Sequence, residues 1–558
     1  MNFKLYLFIG CIALSLSMLA TTPEKPRDSF DDLLDFVDNP EMSDLISNTE
    51  FDTTRQASKE TVVTVLNELG VPALLQENFF LRSNILKSRS LLDYIEFFPF
   101  RHDKDKRAVY VDLFYNQTSR AFFNKHSSNI CSYLAISQAG FLGQFEAVIR
   151  EAAKILPEAI PNPDQIIQLL TLLQTFTVQE RRFGLMIGGK TSCNRWHFNI
   201  MAPWYYLERN HFVDQKVQEN LAALTTDLFG PPTSPGEAKM RLRQQHAFEN
   251  AHLISDAFGI GDTRFYADYP IIKKKYWSTR LGLLATIPTA FPFQRGLRGS
   301  SFHRVKYPPT LDLVQLFDTF MPGGPPTTSG QNAAFDYVLT FIDNLSAMLI
   351  QAPMGNGGHF GIGIYARNRS PLTAFIQQAW AHRCILRSFM SLEYQFPATE
   401  WRSFRVPVDE ALFNSRNFND TEDMAVLNSN YEFLLQQIND RFFPRAYQAT
   451  IWPGIIFRWS SQLCYEGNKN GFTIGTDTYV RNPEKISSIN ATRADIAMID
   501  RQHATYPVAY QAKAVGSVFF KVEKPDKLWV LSFIGDYTFM NHGIGSDFML
   551  AFNVDVTF

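Results

Sequence analysis

The stretch from Gly184 through Gly189, Lys190 and Thr191 has the spacing of a phosphate-binding loop, in which backbone amides curl around phosphate ahead of a helix N-terminus. Its surroundings point elsewhere. The four intervening residues alternate as a strand does, and Thr191 is followed by a turn and a second strand containing Pro203, with no helix. His126-Ser127 and the pair His197/Asn199 are residue types that could activate a hydroxyl for attack on an ester. Neither sits in a G-x-S-x-G or H-E-x-x-H setting, so the 11 histidines read as structural or surface groups and no catalytic residue is assigned. Cys131, Cys193, Cys384 and Cys464 are far apart and lack metal-ligand or CxxC spacing, which indicates no metal, no cofactor and no redox motif. One or two disulfides remain open, with three ways to pair four thiols.

A different set of polar residues shares one placement. Arg195, His197, Arg280, Arg387, Glu393, Arg458, Gln462, Asp477, Asp536 and Asp555 all stand on the polar side of segments whose other side is apolar. Side chains of both signs on such a wall could line a water-filled passage and solvate a small polar solute crossing it. Because both signs occur, no anion or cation preference is assigned.

The elements that would hold these residues alternate with a period of two. Phe548, Leu550, Phe552, Val554, Val556 and Phe558 form one apolar row, against Asp547, Met549, Ala551, Asn553, Asp555 and Thr557. Trp529, Leu531, Phe533, Tyr537 and Phe539 precede it, with a turn at residues 541–543. Residues 455–465 and 472–480 form a hairpin through 466–471, and residues 183–187 lead through 192–194 into 196–204. Further strands fit 277–287 and 386–396, with weaker ones at 109–115, 360–366, 518–522 and 93–98. The sum is roughly twelve, many of them about 9 to 13 residues, long enough to cross a bilayer at a tilt. Aromatic residues gather near strand ends at Trp204 to Tyr206, Tyr276-Trp277, Tyr465 and Tyr537 to Phe539, as an interfacial girdle would.

Composition supports a folded, exported chain. Of 558 residues 45% are hydrophobic and 14% aromatic, and 53 basic against 55 acidic side chains give no general attraction to nucleic acid, so no nucleic-acid partner is expected. Residues 1–20 carry one cation, an apolar run and small residues, the form of a secretory signal peptide. Residues 21–85 read as an acidic, partly helical arm. Beyond the leader no run of 18 or more apolar residues could cross a membrane as a helix. Helical periodicity marks insertions near 140–178, 213–258, 310–350 and 417–443.

The ending at Phe552, Val554, Val556 and Phe558 resembles the C-terminal strand of Gram-negative outer-membrane β-barrel proteins, where a terminal aromatic on an alternating row serves as the assembly signal. The resemblance implies an all-β, antiparallel transmembrane barrel over residues 86–558. It also implies an outer-membrane location in contact with lipid, escort by periplasmic chaperones, insertion by the barrel-assembly machinery, and passive diffusion of small polar solutes as in porins. Open sheet edges are untenable in hydrocarbon, so such strands must close into a ring. The sequence departs from that family in its long helical connections at about 118–180, 208–273 and 292–357, some of which a twelve-stranded count would place on the periplasmic side. Three other readings stay open: a surface adhesin or structural anchor, an outer-membrane lipid hydrolase, and a soluble exported α+β protein.

Overall fold

The computed structural model describes residues 59–76, 88–94, 107–119, 141–155, 177–212, 254–273, 277–297, 354–376, 378–407, 409–420, 422–443, 445–502 and 504–558, with isolated positions at 164, 167, 234–236, 239, 240, 243, 312–315, 340, 343 and 344. All of them lie in the compact unit Arg55–Phe558. The leader, most of the acidic arm, His126-Ser127 and Cys131 lie outside the described residues.

The strands, in chain order, are β1 (Ala108–Ser119), β2 (Thr177–Cys193), β3 (Trp196–Phe212), β4 (Ile254–Ile260), β5 (Thr263–Lys273), β6 (Ser278–Ile287), β7 (Phe291–Arg295), β8 (Gly361–Pro371), β9 (Cys384–Gln395), β10 (Ala398–Phe404), β11 (Arg445–Trp452), β12 (Ile455–Glu466), β13 (Asn470–Arg481), β14 (Lys485–Ile489), β15 (Ala509–Glu523), β16 (Leu528–His542) and β17 (Ser546–Thr557). Twelve of them form a closed antiparallel ring in the order β1, β17, β16, β15, β13, β12, β9, β8, β6, β5, β3 and β2, and the pairing of β2 with β1 completes it. The last strand pairs with the first along its whole length, from Ala108 opposite Thr557 to Ser119 opposite Ser546. β4 and β7 continue β5 and β6 past breaks at residues 261–262 and 288–290 and extend the wall alongside β3. β10, β11 and β14 make a separate three-stranded sheet.

The alternation sorts cleanly between the two faces of the wall. Outward residues include Leu283 (57% exposed), Ile364 (60%), Ile474 (60%), Phe533 (55%) and Leu550 (57%), and the apolar row continues around all twelve strands. A water-soluble protein does not expose a continuous apolar belt of this kind; a barrel in lipid requires one. The soluble α+β reading fails on this belt. Trp196, Trp277 and Tyr465 stand near one end of it, and Trp204, Tyr394 and Tyr537 nearer the other.

The connections resolve the departure noted above. Residues 194–195, 274–277, 372–383, 467–469 and 524–527 join strands at the end where the C-terminus lies, here the lower end. Every long connection, 120–176, 213–253, 296–360, 396–454 and 482–508, joins strands at the opposite, upper end. No long insertion falls among the lower turns, so the short-turn, long-loop asymmetry of outer-membrane barrels is kept.

Three expectations need correction. Residues 254–260, expected as part of a helical insertion, are strand β4, and β5 follows where no strand was expected. The weak strand at 93–98 is not supported where it is described, because Leu91–Asp93 form a 3-10 turn. Cys193, Cys384 and Cys464 carry free thiols rather than disulfides.

Candidate functional site

The interior of the ring is where the polar row and the N-terminal chain meet. The helix Lys59–Glu68 docks through Val63 and Leu66 on Tyr431 and Leu434 of the helix Met424–Phe442, which belongs to the upper connection between β10 and β11. Lys59 Nζ donates to Asn428 at 3.0 Å. The first strand begins at the lower end with Ala108. Between these two points the turn Ser88–Tyr94 lies inside the barrel, with Leu91, Leu92 and Tyr94 packed into one core with Tyr205, Tyr266, Met549 and Ala551 of the wall.

The charged residues of this turn pair with the inward row. Arg89 forms a salt bridge with Asp477, and its carbonyl accepts from Arg182 Nη1 at 2.7 Å. Asp93 meets Arg264 Nη1 at 2.7 Å, while the other guanidinium nitrogen of Arg264 meets Glu393 at 2.9 Å. Arg458 stands 3.9 Å from Asp93 and 3.7 Å from Asp477. Tyr94 donates its hydroxyl to Asp547 and stacks under Lys513 Nζ, which bridges Asp547 at 2.5 Å and Asp536 at 3.0 Å. Ser88 Oγ donates to Glu180 at 2.5 Å. Charges buried to this extent are tolerable only when paired and hydrogen-bonded, so each partner on the turn fixes its counterpart on the wall.

The ten residues expected on the inner wall divide into three groups. His197, Arg280, Glu393, Arg458, Gln462, Asp477, Asp536 and Asp555 are buried on the inner face. Arg387 is half-buried at the lower rim, 2.6 Å from Glu466. Arg195 is not on the wall: Asn194, with φ of 57°, closes the β2–β3 turn there, and Arg195 projects from it towards the Tyr269 hydroxyl at 3.3 Å. The interior is also less watery than the polar row alone predicts, since Tyr266, Tyr365 and Phe389 occupy part of it, with the Arg367 guanidinium stacked on all three rings. Arg280, Arg387 and Arg458 do not share one constriction; Arg280 faces Asp268 at 3.5 Å, while the other two pair with Glu466 and with Asp477.

The turn Ser88–Tyr94 was missed by sequence reasoning. The only local hint is the short apolar and charged run ahead of the first strand, which has neither strand nor helix period. Gly188, part of the phosphate-loop spacing, instead makes room for a ring: a Cβ there would lie 2.0 Å from Tyr110. Ser192 Oγ and His197 Nδ1 are 2.8 Å apart near the lower end.

The fold is that of an outer-membrane β-barrel. That rests on the closed twelve-stranded ring and its apolar outer wall. No protein-family model and no curated protein matches the chain. Among solved structures it is similar to an outer membrane channel from Pseudomonas putida F1, at 7% identity over 82% of this chain and 100% of that one, with a TM-score of 0.35. The β domain of the Bordetella autotransporter BrkA matches at 7% identity over 81% and 100%, TM-score 0.28. The P. putida toluene transporter TodX matches at 6% identity over 85% and 91%, TM-score 0.25.

Proposed function

We propose that this chain is an outer-membrane channel for small polar solutes, held shut at rest by its own N-terminal segment. The observation that carries the reading is the turn Ser88–Tyr94, lodged across the interior of a ring whose outer wall is apolar and whose inner wall is charged. A permanent anchor could fill its interior with apolar side chains alone. Here the turn is held to four strands through salt bridges of Arg89 and Asp93, the Tyr94 hydroxyl and the Arg89 carbonyl, polar contacts that can be released together. The outer wall meets lipid, the lower end faces the periplasm by the asymmetry of the connections, and the outward row ending at Phe558 is what the assembly machinery and its chaperones would read.

Planar-bilayer recording of the purified barrel tests this. The expected result is rare openings in the wild type and frequent ones when Arg89 is replaced by Gln, with heat-modifiable gel migration retained. Silence in both proteins overturns the channel reading and favours an adhesin or anchor. A hydrolytic reading has one observation in its favour, the Ser192–His197 contact; ester turnover that disappears in Ser192→Ala would support it.

A further inference from the structure

Above the inserted turn the upper mouth keeps a cavity of about 270 Å³, bounded by β2 and β3 on one side and by β10 and the end of β13 on the other. Six arginines line it against four carboxylates. Three further carboxylates that pair with those arginines, Glu393, Asp477 and Glu484, are not among the lining groups, so the surface offered to a ligand is richer in cations than the cluster as a whole.

Several donors on the lining residues are unused. Nη2 of Arg182, Nε of Arg402, and Nε and Nη2 of Arg481 are buried and have no hydrogen-bond partner among the described residues. These side chains belong to residues 5%, 2% and 2% exposed, so bulk water does not satisfy them. A buried guanidinium nitrogen without an acceptor carries a desolvation cost that a bound oxyanion would relieve. Arg402 and Arg481 are already fixed in place: both pair with Glu484, at 3.1 and 3.6 Å, and both stack on the Tyr506 ring, at 4.8 and 5.4 Å. Arg182 is held from behind by Glu180 at 2.6 Å. The forks are therefore oriented before any ligand arrives, which lowers the ordering cost of binding.

We propose that this cavity binds a small anionic solute, one carrying a carboxylate or phosphate group, between Arg182 on one side and Arg402 and Arg481 on the other. The volume lies just below the usual range for ligand pockets, which restricts the occupant to a small molecule. The lower mouth fits the same ligand class. There Arg369, Arg387 and Lys521 surround the single carboxylate of Glu466 at 3.6, 2.6 and 3.9 Å, so both ends of the interior present an excess of cation to an approaching anion. The assignment deepens the channel reading by naming the class of solute, but the site itself requires only the barrel.

Isothermal titration calorimetry of the full-length refolded barrel in detergent provides the test, with inorganic phosphate and succinate as probes and glucose as an uncharged control. The expected result is saturable binding of at least one anion and none of glucose, with affinity reduced ~10-fold or more in Arg182→Gln and in Arg481→Gln. Arg481→Lys, which keeps the charge and loses the planar fork, covers the event that the Gln variant does not assemble, and it should bind several-fold more weakly. Absence of binding by both anions, equal binding of glucose, or unchanged affinity in the assembled variants overturns the proposal. Bilayer recording separates it from the channel reading: binding without conductance removes the channel and leaves the site, and conductance without binding does the reverse.

Discussion

Asp93 of the inserted turn and Arg264 of β5 meet at 2.7 Å with both side chains buried, and Glu393 holds the same guanidinium from the far side at 2.9 Å. The turn thus completes a charge chain already present in the wall. Replacing Asp93 with Asn removes one anion from between Arg264 and Arg458 and leaves cations facing each other in a low-dielectric interior. Breaking one partner of a buried pair typically costs about 3–5 kcal/mol. The wall's own ladders do not depend on Asp93, so the barrel should persist while the turn docks less firmly. Single-channel recordings should show a higher open probability for Asp93→Asn, together with faster protease cleavage near residues 88–94. Equal open probability and equal cleavage would mean that the turn is a fixed filling rather than a plug.

Gly188 and Tyr110 are register partners on β2 and β1, and the ring occupies the space that a side chain on residue 188 would need. Tyr110 is 1% exposed and donates its hydroxyl to Asn199 Oδ1 at 3.0 Å. Gly188→Ala must push the ring aside and stretch that bond, an overpacking that typically costs about 1–3 kcal/mol. A lower temperature for the gel-mobility shift, or a lower urea midpoint for the barrel in detergent, is the expected outcome. If glycine were required here for phosphate contact instead, the substitution would leave stability unchanged.

Leu283 distinguishes lipid from water as the medium outside the wall. It lies on the outward row of β6, between Trp277 at the lower end and Ile287 near the upper, and is 57% exposed. In a soluble protein an exposed Leu→Arg change is worth within about 0.5 kcal/mol. At the middle of a lipid-facing barrel wall it costs about 2–4 kcal/mol. Folding titrations into phospholipid vesicles should therefore show Leu283→Arg well destabilised, and a near-neutral result would contradict the membrane assignment.

Which parts of this architecture could be read from the sequence follows from the range of the interactions involved. Strands β12, β13, β16 and β17 were legible because each alternates without interruption, and a period of two is local information. β4 and β5 were not, because the break at Gly261–Asp262 separates them and Ser255, Asp256 and Ala257 are buried in succession where the wall is covered on both faces. Eight of the ten inner-wall positions followed from parity alone. The partners of those charges did not: Asp93 and Arg264 are 171 residues apart, and nothing in either neighbourhood announces the other. Arg195 was misplaced by a single residue of turn, since Asn194 adopts the left-handed conformation that ends the strand before it.

Phe558 lets assembly be separated from stability. Its ring is 49% exposed at the outer lower edge, in line with Phe552, Val554 and Val556, and its main-chain N–H donates to Arg107 O at 3.0 Å, a bond that any residue could make. Beyond that bond the ring meets Lys527 Nζ at 4.9 Å from its centroid, an exposed contact of small energetic weight. Phe558→Ala should therefore leave the stability of the refolded barrel, read from its urea midpoint, within about 1 kcal/mol of the wild type, because half of the ring is already exposed and little buried apolar surface is lost. In cells the same substitution should sharply lower the amount of heat-modifiable barrel recovered from the membrane fraction if the outward terminal row is read during insertion. Wild-type recovery in cells would remove the assembly role from this residue, whereas a large drop in refolded stability would assign it to the fold itself.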